Sequence, residues 1–422
     1  KESNSKYILT IDLVYDKLME VVGKTSVEKI IVSSVTDDMG KFKRVMYWFF
    51  SGRKNKIERN EKAIFYSDLI KMGVYYKDFK ACKRRSYDEA VILYSGGTTG
   101  KPKGIVLSNM NFNALALSCH KMIEQSGEGE SILAILPIFH GFGLGVCIHT
   151  TLGCGMRVVL VPNFNPKDFG KLLHKHKISI VCGVPSLFES LTKTSMGKND
   201  LSKLKSAISG GDFMSKDLKN KVDTYFREHG SNAEIRVGYG LTEASAAICV
   251  TPTGEYRESS IGVPFPDTYI KVVRVGTHDE VPYGEDGEIC ISGPTVMMGY
   301  LNNLEETIQT LQIHEDGRTW LHTGDVGSMD KDGFVYFKQR VKRIIISNGY
   351  NLYPSYIETI INSHPDVFTS TVIGIPHPKK VQVAKAYIVL KDGVKPSKDV
   401  EKSIRLHCEK NLARYSLPAV YE

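Results

Sequence analysis

The stretch Tyr94-Ser95-Gly96-Gly97-Thr98-Thr99-Gly100-Lys101-Pro102-Lys103-Gly104 decides how the rest of the chain is read. It follows directly on residues 90–94, an apolar run that predicts a buried strand. Glycines let backbone amides approach an anion closely, Ser and Thr hydroxyls add donors, and the lysines supply charge. Such a loop suits a polyphosphate. It is not a Walker A loop, because Gly96 and Gly100 are separated by three residues and Pro102 stands where a magnesium-holding Ser or Thr would be. The plainer alternative is a surface turn. A Gly/Thr/Lys mixture this dense after a buried strand argues against it.

Outward from this loop, short β-rich runs alternate with amphipathic ones. Strands are predicted at 7–10, 29–35, 89–94, 131–136, 156–161, 178–182 and 206–209, and helices at 109–125, 166–177, 184–194 and 215–229. The alternation argues for an α/β fold with a mostly parallel sheet. From about Tyr256 the texture changes to short strands (269–275, 287–292, 334–337) between Gly, Pro and Asp turns, as in an antiparallel or barrel-like subdomain. A small mixed unit follows Arg340, with strands at 343–347, 367–375 and 384–391 and helices at 354–363 and 397–411. A boundary near 340 separates a large first domain, 1–341, from a small α+β second domain, 342–422.

Composition narrows the function classes. With 42% hydrophobic and 24% charged residues in 422, the chain is an ordinary globular one with enough apolar material for a sizeable core. The net charge of +8 permits anionic ligands or a membrane surface and does not point to a nucleic acid polymer. Eight Cys without a C-x-x-C pair suggest neither disulfides nor a thiolate zinc site, but small buried hydrophobes in a reducing cytoplasm. Residues 132–162 are the best candidate for a membrane span. Pro137, His140, His149, Arg157 and five Gly make them a buried strand–loop–helix–strand instead.

Two further motifs carry chemistry. In Gly238-Tyr239-Gly240-Leu241-Thr242-Glu243, Tyr239 offers a flat face for a purine, Thr242 a hydroxyl for a phosphate oxygen and Glu243 a hard oxygen for Mg²⁺. Alone it equally suits a strand-end turn. In His322-Thr323-Gly324-Asp325, with Arg340 fifteen residues after Asp325, a carboxylate and a guanidinium could both bond ribose hydroxyls. Alone it equally suits a turn and a surface ion pair.

In this order and spacing the three motifs resemble the adenylate-forming superfamily of acyl-CoA synthetases, adenylation domains and luciferases, and most of all bacterial long-chain fatty acid–CoA ligases. Pro137-Ile138-Phe139-His140-Gly141-Phe142-Gly143 is similar to the acyl-pocket motif, Ser209-Gly210-Gly211-Asp212 to the adenine-side loop, residues 287–300 to the next block, and Arg340-Val341-Lys342 to the interdomain hinge. Ser347-Asn348-Gly349-Tyr350-Asn351-Leu352-Tyr353-Pro354 resembles the loop that swings in for thioester formation.

The resemblance implies a multi-subdomain nucleotide-binding domain, a mobile C-terminal domain turning at Lys342, and the co-substrates ATP, Mg²⁺ and coenzyme A. It implies that Ser95, Gly96, Gly97, Thr98, Thr99, Gly100 and Lys103 embrace the β/γ-phosphates. Thr242 would touch the α-phosphate, Glu243 hold Mg²⁺, and Tyr239, Gly240, Gly210 and Gly211 bind the adenine. Asp325 and Arg340 would fix the ribose, with Thr98, Lys103, Thr242 and Glu243 as the catalytic set. His140, Phe142 and Gly238 would border the acyl pocket, although His140 reads equally as a hydrogen-bonded core histidine. Gly96 and Gln339 depart from the residues many relatives carry. By the same resemblance the large domain lacks its first part, and the adenylation-step Lys lies beyond Glu422.

Two questions stay open at this level. Gly141, Gly143 and Gly145 could leave room for an acyl channel of a fatty acid. Lys41–Lys62 carries eight Lys/Arg around Met46-Tyr47-Trp48-Phe49-Phe50, which suits peripheral contact with the inner membrane surface, or an aromatic run packed inside with solvated charges. The implied activity is a cytoplasmic fatty acyl-CoA ligase. The alternatives are an acyl-AMP ligase loading a carrier protein, and a non-catalytic nucleotide- or partner-binding relative. Oligomeric state is not legible.

Overall fold

Apolar β-branched runs pair where both faces can be covered, and that places most of the strands. The computed structural model describes residues 2–37, 39–50, 57, 60–95, 102–347, 350–378 and 380–422. The chain divides into two compact units, Lys1–Arg85 and Ser86–Glu422.

In the first unit, β1 (Tyr7–Ile11), β2 (Lys29–Ser33) and β3 (Ala63–Phe65) form a parallel sheet in that order. Three helices accompany them: α1 (Tyr15–Val22), α2 (Lys41–Phe50) and α3 (Tyr66–Tyr75). Alternate residues of β2, Ile30 and Val32, enter a small core with Tyr15, Val22 and Val27. Along α2, Phe42 is 78% exposed and Phe49 61%, with Val45 and Met46 also open and Lys41, Lys43 and Arg44 between them. The packed-inside alternative for the aromatic run therefore fails at Met46 and Phe49. Residues 51–56, 58 and 59 of the basic stretch lie outside the described residues.

The second unit opens with a hairpin. β4 (Glu89–Ser95) pairs antiparallel with β5 (Lys103–Ser108), which sets Ser95 opposite Lys103. Residues 96–101, the tip that joins these two stems, lie outside the described residues. At the end of β5 a capping box starts α4 (Asn109–Met122): Ser108 Oγ accepts the Asn111 N–H at 3.2 Å, and Asn111 Oδ1 accepts the Ser108 N–H at 2.7 Å.

A parallel run follows, ordered β7-β6-β8-β9-β10, from β6 (Ser131–Ala134), β7 (Arg157–Leu160), β8 (Ile180–Gly183), β9 (Ser206–Ser209) and β10 (Ile235–Tyr239). One face, with Leu133, Val181, Ala207 and Ile235, is covered by α5 (Phe169–His176), α6 (Pro185–Leu191) and α7 (Lys216–Glu228) through Phe169, Phe188 and Phe226. On the other face Ile132, Ile180, Cys182 and Ile208 meet Leu115 and Cys119 of α4 and Val146 of a π-helical segment, Phe142–Thr150. The stretch 132–162 is thus strand, loop, helix and strand, as read. No helix among the described residues is long and apolar enough to cross a membrane. Six of the eight cysteines are buried and all are free, as small core hydrophobes.

β11 (Cys249–Val250) and β12 (Ser260–Pro264) carry this sheet on in antiparallel sense, so the barrel-like part is continuous with the parallel part. β13 (Tyr269–Val273) and β14 (Gly287–Ser292) lie at its far edge, and β15 (Gly299–Tyr300) returns to pair with β5. After α8 (Leu304–Thr310) come β16 (Leu311–Ile313), β17 (Thr319–Met329) and β18 (Val335–Arg340). The full sheet has twelve strands. The His322–Asp325 motif is therefore no free turn. It lies inside the eleven-residue β17, kinked at Gly324 (φ +68°).

The C-terminal part pairs β19 (Ile345–Ser347), β20 (Tyr350–Leu352), β21 (Val367–His377), β22 (Val381–Leu390) and β23 (Val420–Tyr421). Their core, with Ile345, Val372 and Ala386, is closed by Ile357 and Ile361 of α9 (Pro354–Asn362) and Ile404 and Cys408 of α10 (Lys398–Asn411).

Candidate active site

Backbone geometry at the end of β10 sets the site. A Cβ on Gly240 would stand 1.6 Å from the Ala246 carbonyl oxygen, so only glycine fits there. The chain turns through Thr242–Ala244, then holds Ser245 and Ala246 at φ 58° and 101°, positions that side chains avoid. Ser245 Oγ donates to the Thr295 carbonyl at 2.7 Å and ties this strained turn to the segment before β15. Beside it, a Cβ on Gly210 would lie 3.1 Å from the Gly238 carbonyl oxygen and 3.4 Å from Phe142 Cε1. Gly211 has φ +82°. Gly210, Gly238 and Phe142 thus come together.

Asp325 is the electrostatic centre. Its side chain is fully buried, and β17–β18 register sets it opposite Arg340, whose Nε lies 2.8 Å from Asp325 Oδ1. The Tyr239 hydroxyl donates to Asp325 Oδ2. Thr323 Oγ1 accepts the Asp325 N–H at 3.0 Å and donates to the Ile289 carbonyl at 2.7 Å, which fixes the backbone under the carboxylate. Burial pushes the Asp325 carboxyl up to about 6; Arg340 and Tyr239 pull it down, while Glu243 and Glu288 add repulsion. Burial and the Asp325 charge push the Tyr239 hydroxyl well up, so it stays a neutral donor.

Glu243 stands on the same turn as Thr242. Its Oε1 accepts from the Tyr300 hydroxyl at 3.0 Å, and its backbone carbonyl accepts the Met297 N–H at 2.8 Å. Oε2 has no hydrogen bond or ion pair among the described residues. The Lys103 ammonium pairs with Glu306 and lies 5.2 Å from the centre of the Tyr300 ring. Tyr300 and Glu306 join the site without any local sequence signal for these partnerships. Lys103 and Glu306 are 203 residues apart.

The donors match the groups that ATP and Mg²⁺ present. A free carboxylate oxygen at Glu243 suits a hard divalent cation, and the Asp325–Arg340 pair offers an acceptor and a donor for a diol. Gly96, Gly97, Thr98, Thr99 and Gly100 lie outside the described residues, with only the stems Ser95 and Lys103 described.

Other expectations change. His140 is exposed and its Nδ1 accepts the Phe142 N–H at 3.2 Å, so it is no core histidine. The glycines following it do not line an open channel. A Cβ on Gly143 would meet the Pro137 carbonyl oxygen at 2.2 Å, one on Gly145 would meet Leu115 Cδ2 at 2.8 Å, and one on Gly141 the Ala246 Cβ at 3.2 Å. They are small because the π-helical segment packs closely on its neighbours. Gln339 is buried with neither side-chain polar atom bonded among the described residues. Lys342 is exposed in the turn Val341–Arg343, and next to it Arg343 pairs with Glu358 at 2.6 Å.

Comparison with known proteins identifies the family and the fold. The AMP-binding enzyme profile matches residues 1–301, and the profile for the C-terminal domain of AMP-binding enzymes matches 356–422. A long-chain-fatty-acid–CoA ligase of Bacillus subtilis (strain 168) is 32% identical over 100% of this chain and 74% of its own length. A probable 4-coumarate–CoA ligase of Dictyostelium discoideum is 34% identical over 72% of this chain, which spans about half of that relative, 54%. In fold, the ATP-bound MatB of Rhodopseudomonas palustris superposes with a TM-score of 0.80 at 23% identity, over 100% of this chain and 76% of that one. The chain belongs to the AMP-binding enzyme family and to its adenylate-forming acyl- and aryl-CoA ligase superfamily, the AMP-forming acid–thiol ligases that work with ATP, Mg²⁺ and coenzyme A.

Proposed function

We propose that the protein is a fatty acyl-CoA ligase. A fatty carboxylate attacks the α-phosphorus of ATP, pyrophosphate leaves, and the thiol of coenzyme A then displaces AMP from the acyl-adenylate. A carboxylate is a poor electrophile, and the mixed anhydride with phosphate makes its carbonyl reactive. No side-chain nucleophile is needed, so the protein's work is positioning and charge stabilisation. The observation that carries this reading is the buried Asp325 of β17, held between Arg340 of β18 and Tyr239 of β10, with Glu243 on the turn that follows β10. The fatty nature of the acid rests on the Bacillus relative alone.

On this reading Asp325 and Arg340 hold the ribose, and Tyr239, Gly240, Gly210 and Gly211 flank the adenine. Thr242 contacts the α-phosphate, and residues 95–103, with Thr98 and Lys103, hold the β/γ-phosphates. Bound at Glu243, Mg²⁺ supplies positive charge against the phosphates. His140, Phe142 and Gly238 border the acid. The division at 341/342 makes Lys342 the hinge about which the C-terminal part turns between half-reactions. The same reading sets the protein in the cytoplasm with α2 against the inner membrane surface, supported by the exposed Phe42 and Phe49 among Lys41, Lys43 and Arg44.

The test is incubation of full-length protein with palmitate and ATP–Mg²⁺, with free coenzyme A in one arm and a holo-carrier protein in the other. Palmitate-dependent pyrophosphate exchange and palmitoyl-CoA are expected, and Glu243→Gln abolishes both while keeping the fold, since Gln still accepts from Tyr300. Transfer to the carrier alone would replace coenzyme A as acceptor. ATP binding without exchange would remove the catalytic reading.

A further inference from the structure

Three histidines from separate segments of the antiparallel half meet in one cluster that the adenylation chemistry does not use. His278 lies in the turn between β13 and β14, His314 directly after β16, and His322 within β17. Each places a ring nitrogen within 4.8 Å of the other two. The Nε2 atoms of His314 and His322 face one another at 2.9 Å. The rings of His278 and His314 stack with centres 4.0 Å apart and planes 12° from parallel. His314 is only 4% exposed, and its Nδ1 is buried with no hydrogen-bond partner among the described residues.

The surroundings match those of a metal-binding imidazole. Glu288 on β14 stands across from the cluster, its Oε2 2.9 Å from His322 Nδ1. That contact fixes the His322 proton on Nδ1 and turns the Nε2 lone pair toward His314, the carboxylate–histidine arrangement that orients and strengthens a ligand. Gln312 Oε1, 2.7 Å from His278 Nε2, fixes a second ring. Two nitrogens on a tetrahedral Zn²⁺ are separated by about 3.3 Å, given Zn–N bonds of about 2.0–2.1 Å. Binding therefore needs the His314–His322 pair to open by a few tenths of an ångström, the His314 proton to move from Nε2 to the unpartnered Nδ1, and the His278 ring to turn out of its stack so that its lone pair reaches the same ion. Nitrogen donors favour Zn²⁺ and its transition-metal neighbours over Mg²⁺, which prefers oxygen.

We propose that His278, His314 and His322 form a transition-metal site of the Zn²⁺ type, with Glu288 as the carboxylate that orients His322. The ion is separate from the Mg²⁺ of the nucleotide site. Glu288 links the two regions: its other oxygen, Oε1, accepts the Gly324 N–H at 2.9 Å, one residue before Asp325. An ion on His322 thus stiffens the kink that carries the ribose-holding carboxylate. A second grouping, Glu288 and Cys290 with His322, shares the same imidazole. The three-histidine set is favoured because it leaves the Glu288–His322 contact intact.

The test uses the whole chain without nucleotide, in excess Mg²⁺, titrated with Co²⁺ as a coloured stand-in for Zn²⁺. Saturation at one Co²⁺ per chain is expected, with strong visible bands of low-coordinate geometry that Zn²⁺ abolishes. Exposed His278 tolerates replacement, so His278→Ala weakens binding about tenfold or more without unfolding, and His314→Gln does the same with circular dichroism as the check on folding. Glu288→Gln weakens it about 10- to 100-fold, while Cys290→Ser leaves it unchanged. Absence of a saturable site, an affinity indifferent to both His278→Ala and His314→Gln, or loss through Cys290→Ser alone would overturn the proposal. None of these readouts depends on ligase activity.

Discussion

Arg340 Nε lies 2.8 Å from Asp325 Oδ1 across neighbouring strands, and the two ends of this pair live in different media: the carboxylate is 0% exposed, the arginine side chain 52%. Removing the arginine therefore costs through its partner. Asp325 titrates near about 6 in the fold, above the usual carboxylate, so the folded protein holds this proton more tightly than the unfolded chain. Its ionisation costs stability as pH rises from about 4 to about 6. Arg340→Ala raises that pKa further, so its penalty grows with pH. We expect about 1–2 kcal/mol at about pH 8, in the lower range for a charged hydrogen bond because the arginine is half in solvent, and much less at about pH 4.5. Urea denaturation at both values measures it; equal penalties would exclude the carboxylate as the cause.

With Asp325 holding the ribose as proposed, the same proton limits nucleotide binding. A ribose diol donates to the ionised carboxylate, so kcat/KM for ATP falls about tenfold per pH unit below about 6, the value to which burial raises Asp325 against Arg340 and Tyr239 and with Glu243 and Glu288. In Asp325→Asn that limb disappears along with most of the activity. A limb that persists near pH 6 in the variant belongs to another group.

Glu306 pairs with the ammonium of Lys103. On the proposed reading a phosphate competes for it. Glu306→Gln frees the lysine, and the KM for ATP should drop about 2- to 5-fold, as expected for a partly exposed pair of up to about 1 kcal/mol. An unchanged or higher KM would take Lys103 out of phosphate binding.

Gln339 offers a stability gain. Its amide is buried with neither polar atom bonded among the described residues, a situation that costs about 1–3 kcal/mol. Gln339→Met keeps the shape and removes the polar atoms, so the urea midpoint should rise by the equivalent of about 1 kcal/mol. A fall would show that the amide has a partner in solution.

Co-sedimentation with vesicles tests α2. Protein should bind vesicles rich in anionic lipid and not neutral ones, with binding reduced about tenfold or more by Phe42→Ser with Phe49→Ser. Equal binding to both lipids, or none, removes the membrane contact.

The parallel half of the sheet was legible because β6, β8 and β9 are fully buried and short, with Ser the only strongly polar residue in them, and because α5 and α6 separate them in the chain and α7 follows β9. The three helices of the first unit were not, since α3 ends without a capping signal and α2 shows its apolar side to solvent. In the site, Glu243 and Asp325 could be found because each sits in a short motif. Arg340 was found with Asp325 in the same way, but the tyrosine hydroxyls that bond the two carboxylates could not be. Tyr300 reaches Glu243 across 57 residues and Tyr239 reaches Asp325 across 86, distances at which periodicity says nothing. The π-helical segment escaped for a different reason: its glycines suggest open space, and only the close approach of Pro137 and Leu115 reveals that the space is filled.

The junction of β10 with β11 bears on how the chain is made. Until Cys249 and Val250 fold back, β10 is a bare edge strand, open to pairing with a second nascent chain. β11 begins at Cys249 and covers the Gly238–Tyr239 end of β10 soon after it is made. Arg340, by contrast, cannot meet Asp325 before β18 emerges, about a hundred residues after β10 ends. The β10 edge is thus covered well before Arg340 can reach Asp325, and between those two points of synthesis the open edge of the sheet is β12, which waits for β18.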